Sequence, residues 1–85
     1  MTNLEYLDLS YNRYSTDAMC DQVIDAIVEN QAQNPSLSDI NLFDAGDFSS
    51  SSTQEHIAAL KAKGLTIAKT DQENEDMKTR YHPKK

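Results

Sequence analysis

Glycine occurs only twice, as Gly46 and Gly64. A chain this poor in glycine has no glycine-rich loop to wrap a phosphate in backbone N–H groups. Cysteine occurs once, as Cys20. That excludes an intramolecular disulfide and leaves a structural zinc site short of ligands. The longest apolar run is the four residues from Ile57 to Leu60, against the roughly 20 that a membrane-spanning helix needs. Positive charge is the minority: 8 Lys and Arg stand against 14 Asp and Glu, for a net charge of −6. An acidic surface repels phosphate backbones, so nucleic-acid binding is not expected, and the shortness of the apolar run leaves membrane insertion unexpected as well. The first three residues carry neither a basic segment nor an apolar stretch. No export signal is therefore expected in the chain as written, and its compartment stays unassigned.

Chemistry is equally sparse. His56 and His82 lie far apart in sequence. Asp44 and Asp47 flank Gly46, but the alternating acidic spacing and closing glutamate of a calcium loop are missing. Cys20 has no Lys, Arg or His close by and falls on an apolar helix stripe, which makes it an inert core thiol. The four serines at 49–52 contain no nucleophile elbow. The expectation is a protein without catalytic residues, metal or cofactor.

What the chain does have is a phrase said twice. Residues 4–12 read LEYLDLSYN, and residues 37–42 read LSDINL, an offset of 33 residues. The core of the phrase returns as Leu65, Thr66 and Ile67. A repeat at this period points to stacked strand–helix units. Alternation of apolar and polar residues predicts strands over 4–10, 37–43 and 65–69. Between the first two, Cys20, Val23, Ile24, Ile27 and Val28 stand at i, i+3, i+4, i+7 and i+8, which predicts a helix over 17–30. Ser15, Thr16 and Asp17 are its N-cap candidates, and the segment ends near Pro35. A second helix is expected over 53–63, opened by a capping box from Ser52 to Glu55 and closed by Gly64. Leu4, Leu7, Leu9, Leu37, Ile40, Leu42, Leu65 and Ile67 should then meet Val23, Ile24, Ile27, Ile57 and Leu60 in one core. Residues 71–85 are charged and short of apolar side chains. They are expected to form a tail, although their acidic first half and basic second half also suit a short helix or a return onto the acidic body.

The residues from Asn3 to Asp71 resemble a leucine-rich repeat, in particular the C-terminal end of a bacterial leucine-rich repeat protein. The matching pieces run from Leu4 to Ser10, with Asn12, from Leu37 to Leu42, and from Ala62 to Ile67. The resemblance implies an α/β fold: a short right-handed solenoid of three parallel strands with two helices on one side. The repeat domain would cover residues 3–70, about two and a half repeats, followed by the tail at 71–85. It also implies that Asn12 bonds to loop backbone and holds its turn. By the repeat offset its counterpart is Ala45, or Gly46 if one residue is inserted, so an unbroken asparagine ladder is not expected.

Strand residues pointing away from the helices would form the recognition surface: Tyr6, Asp8, Ser10, Asp39, Asn41, Phe43, Thr66 and Ala68. Neighbouring strands about 4.8 Å apart would set these side by side. Aromatic area beside polar groups suits a protein partner. The expected function is thus protein binding through the strand face. The alternative is a structural C-terminal cap of a longer repeat protein, with no binding role of its own. Because the first strand starts almost at the first residue, its edge at residues 4–10 is expected to self-associate or to rely on a preceding portion.

Overall fold

The repeat offset sets the strand register. In the computed structural model, which describes residues 4–81, Tyr6–Asp8 (β1), Asp39–Asn41 (β2) and Thr66–Ala68 (β3) form a parallel sheet in the order β1-β2-β3. Leu7 pairs with Ile40, the 33-residue offset of the repeated phrase, and Ile40 pairs with Ile67. The described residues do not include the first three or 82–85, so His82, Lys84 and Lys85 lie outside them.

Each strand is shorter than alternation suggested. Single hydrogen bonds carry the ladder further, from Leu9 N–H to Asn41 O at 2.9 Å and from Leu42 N–H to Ala68 O at 2.8 Å. Left-handed turns at Tyr11 (φ 64) and Asp44 (φ 54) then end the first two strands. After β1, Asn12 donates to the carbonyl of Leu9 at 2.7 Å. In the next loop Ala45 is buried. Gly46 there adopts φ 142, and an added Cβ would stand 2.9 Å from the carbonyl oxygen of Tyr14. Only glycine fits both the angle and the space.

Helix α1 spans Asp17–Gln33, with Thr16 as N-cap accepting from the N–H of Met19. It runs three residues past the expected Asn30 because Asn34 closes it, returning its backbone N–H to Asn30 O at 2.8 Å. Helix α2 spans Ser51–Ala62. Its N-cap is Ser50 rather than Ser52, and the expected Ser52–Glu55 box is replaced by Ser50 accepting from Thr53 N–H. The reason is tertiary. Ser50 Oγ donates to Asp21 of α1 at 2.7 Å, and the Thr53 hydroxyl donates to the same carboxylate. One acid thereby ties the start of α2 to α1. At the other end Gly64 (φ 97) allows Leu65 N–H to reach Leu60 O and Gly64 N–H to reach Lys61 O, the paired bonds of a Schellman cap.

The core lies between the sheet and these two helices. Cys20, Ile24 and Ile27 from α1 and Ile57 and Leu60 from α2 meet Leu37, Ile40, Leu42, Leu65 and Ile67. Leu4, Leu7, Leu9 and Val23 are only partly buried and pack on its margin.

The segment expected as a tail departs most from expectation. Asp71–Tyr81 is a third helix, α3, and it packs against the opposite face of the sheet. Its Asn74 and Met77 are buried, as is Ala68 beneath it, and neither Met77 nor Ala68 belongs to the main core cluster. The fold is therefore a mixed α/β arrangement with two helices on one side of a three-stranded parallel sheet and one on the other. The expectation of helices on one side alone is corrected by a general property of such sheets: parallel strands are stable when both faces are covered.

The core makes a graded prediction. Ile24 is completely buried, whereas Ile27 lies beside an open groove. Ile24→Ala should cost about 3–5 kcal/mol and Ile27→Ala less, about 2–3 kcal/mol, because the groove side can relax. Asp25→Ala removes only the 3.5 Å contact of a largely exposed carboxylate to His56 Nδ1 and should be near neutral. Chemical denaturation of the three variants checks the order.

Candidate functional site

The strand face carries Tyr6 and Asp8 from β1, Asp39 and Asn41 from β2, and Thr66 and Ala68 from β3. Period-two alternation sets these side chains on the opposite face from Leu7, Ile40 and Ile67. The structure brings Tyr6, Asp39 and Asn41 together, beneath α3. The Tyr6 ring stacks on that of Tyr81, with centroids 4.2 Å apart and planes within 1°. Asp39, only 4% exposed, accepts from Arg80 Nη1 at 3.0 Å, from Ser38 Oγ at 3.1 Å and from the Tyr81 hydroxyl. Asn41, 0% exposed, donates to Asn74 Oδ1 at 2.7 Å and accepts from the backbone of Phe43 at 3.0 Å.

The remaining expected residues sit at the margin. Asp8 is exposed and accepts from the backbone and hydroxyl of Ser10 at 3.0 and 2.6 Å. Phe43 is half-buried and meets the Tyr11 ring edge-on, 5.5 Å between centroids. Thr66 is exposed, and Ala68 is buried. The expected open recognition surface is thus divided into a covered centre and an exposed rim. Tyr6, expected as an open aromatic surface, is engaged in its stack with Tyr81.

The residues that complete this face were left out of the expected site by favouring a tail over a short helix at 71–85: Asn74, Met77, Lys78, Arg80 and Tyr81; Tyr11, after the first strand, was left out as well. Their signal was present. Asn74, Met77 and Tyr81 recur at i, i+3 and i+7. Thr70 to Glu73 is a capping box: Thr70 Oγ1 accepts from Glu73 N–H at 3.2 Å, and Glu73 Oε1 accepts from Lys69 and Thr70 N–H at 2.9 and 3.0 Å. Acidic residues then occupy the first turn and basic residues the last, as the helix dipole favours.

The electrostatics of the face match its geometry. The carboxylate of Asp39 holds the Arg80 guanidinium more firmly protonated than usual. Burial, then the bond to Asp39, pushes the Tyr81 phenol upward, and burial does the same for Tyr6. Arg80, Tyr81 and Tyr6 therefore keep their protons through the neutral range. The arrangement is suited to holding a helix. Among the described residues no group of three or more His, Cys, Asp or Glu is placed to hold a metal ion. No helix among them is long and apolar enough to cross a membrane.

A second surface lies at the sheet margin. β1 is an edge strand, and a groove of about 260 Å³ opens beside it, lined by Leu7, Leu9, Tyr14, Val23, Ala26, Ile27 and Asn30. Leu7 and Leu9 are half-buried here. Their counterparts one repeat later, Ile40 and Leu42, are fully buried.

Comparison with family models, with curated proteins and with solved structures found no match to this chain.

Acid should weaken this structure at two named points. Backbone N–H groups of Lys69 and Thr70 hold the Glu73 carboxyl below its ordinary range, and the hydroxyls of Thr53 and Ser50 do the same for Asp21. A carboxyl depressed in the folded state contributes its stability above its unfolded value of about 4 and loses it as pH falls through the lower folded value. Thermal melts should hold from pH 7 to 5 and decline below about pH 4. Glu73→Gln keeps a capping side chain without the charge, so its acid decline should be shallower than that of the wild type. Equal declines would contradict the assignment.

Proposed function

We propose that this chain is a protein-interaction module of the leucine-rich repeat type, joining its partner end-on along the β1–α1 flank. The observation that supports this most directly is the unfilled groove beside β1. Each repeat in such a stack covers the flank of the next, as the first strand–helix unit covers Ile40 and Leu42. The flank of the first unit itself stays open along Leu7, Leu9 and Val23. An edge strand beside an apolar groove favours association with another strand–helix unit. The strand face, expected to be the recognition surface, is the lesser candidate in this closed form because α3 covers its centre.

A second reading is favoured by that same cover. With Asp39 and Asn41 buried, the chain suits a structural end piece whose open flank is filled by a preceding repeat of a longer polypeptide, without a binding role of its own.

Sedimentation velocity separates the two. On the first reading the chain self-associates at micromolar concentration, two β1 edges meeting antiparallel about a two-fold axis. Ala26 is exposed in the groove, so Ala26→Glu should return the chain to monomer without lowering its melting temperature. A stable monomer whose β1 amides are strongly protected from exchange would contradict the end-on contact.

A further inference from the structure

We propose that the strand face is a helix-binding site and that α3 is its resident, exchangeable occupant. The site would take, in place of α3, a partner's basic amphipathic helix carrying an apolar residue, a cation and an aromatic at the spacing of Met77, Arg80 and Tyr81. This inference concerns a different surface from the end-on contact and does not depend on it.

Three observations carry it. The receptor side is built and specific: Asp39 receives the guanidinium of Arg80, Asn41 receives Asn74, and Tyr6 receives the ring of Tyr81. Tyr11 adds an aromatic face under the ammonium of Lys78, 5.5 Å from its centroid. Receptor groups of this kind, a buried carboxylate beside the rings of Tyr6 and Tyr11, select a cation and an aromatic together.

The occupant is separable. The main core cluster contains no residue of α3. Only Lys69 and Thr70 connect α3 to β3. Its fully buried residues are Asn74 and Met77 alone. When it lifts, much of what it uncovers is polar, so water replaces protein partners at Asp39 and Asn41. Helices of 11 residues are marginal alone, so the freed segment unwinds and gains chain entropy. Such a unit belongs to the low-stability end of a native structure.

The occupant is also an imperfect electrostatic fit. Within α3, Asp71, Glu73, Glu75 and Asp76 outnumber Lys78 and Arg80, for a charge of −2. The rest of the chain carries −4, to which Lys84 and Lys85, just beyond α3, contribute +2, so residues 1–70 carry −6. With those two lysines residues 71–85 sum to zero, so the occupant gains no long-range attraction from the acidic body, and a basic helix would. The tether compensates, since a short linker supplies an effective concentration on the order of millimolar. A partner therefore succeeds by carrying the opposite charge on the same contact pattern.

The test uses the full chain and a fluorescein-labelled synthetic peptide of residues 70–81 in which Glu75 and Asp76 are both lysine. Glu75 and Asp76 are exposed on α3, so the contact pattern is unchanged. Anisotropy titrations should give a Kd for the Tyr81→Ala chain at least tenfold below that for the wild type, because its own helix is loosened. Adding Asp39→Asn to Tyr81→Ala should raise the Kd tenfold or more, and raised salt should weaken binding throughout. Hydrogen exchange on the unaltered chain is a second arm that needs no variant. Amides in α3 should exchange at least 100-fold faster than those of Ile24 and Ile27. Equal affinity for wild type and Tyr81→Ala, indifference to Asp39→Asn, or α3 amides as protected as those of α1 would each overturn the proposal.

Discussion

The central strand has no side left for water. β2 is hydrogen-bonded to β1 on one edge and β3 on the other, and Asp39, Ile40 and Asn41 are all buried. Ile40 faces the α1–α2 core, where burial is favourable without further conditions. Asp39 and Asn41 face the other way, and burying a charge or an amide without a partner costs several kcal/mol. The rest of the architecture answers that requirement. Arg80 and Tyr81 neutralise and satisfy Asp39, Asn74 satisfies Asn41, and the helix that presents them becomes the third layer. A single acid and a single amide in the middle of a three-residue strand thus decide whether residues 71–81 are tail or fold.

The other side of the sheet is held by the same economy of means. Asp21 caps nothing in its own helix; it accepts from Ser50 and Thr53 and so fixes where α2 begins. Lys69, at the end of β3, donates to the carbonyls of Gly46 and Asp47 at 3.0 and 3.2 Å and lies over the Phe48 ring. Its burial pulls its pKa below the ordinary lysine range. The loop after β2 is therefore pinned from the last strand, and Gly46 lets it pass against Tyr14. In a chain of 85 residues, where the core alone is small, such polar ties carry a large share of the specificity.

Much of the strand–helix plan was legible because it rests on short-range periodicity. The offset between Leu4 and Leu37 anticipated the β1–β2 register, and the stripe from Cys20 to Ile27 anticipated the buried face of α1. Element ends were less legible, since tertiary bonds set them: Ser50 won over Ser52 as the cap because Asp21 stands within reach. The strand face was legible as a set of residues and misread as a surface. Asp39 and Asn41 look solvent-facing when polarity is taken to mean exposure. Period-two alternation gives the face a residue is on but not what covers that face. α3 was ranked below a tail for a related reason. Its single buried apolar residue, Met77, leaves almost no hydrophobic signal, and its Thr70–Glu73 capping box and its Asn74, Met77 and Tyr81 stripe are visible only when polar residues are counted as contacts.

The molecule thus has an apolar flank that is open and a polar face that is closed, and the functional reading follows from that asymmetry. Its central claim is that α3 covers the strand face through Asn41, Asp39 and Tyr6. The most direct measurement is a nuclear Overhauser spectrum of the full chain at neutral pH. The account predicts ring-to-ring cross-peaks between Tyr6 and Tyr81 and between the side-chain amide of Asn41 and the protons of Asn74. Absence of both, with residues 71–81 at random-coil shifts, would contradict it.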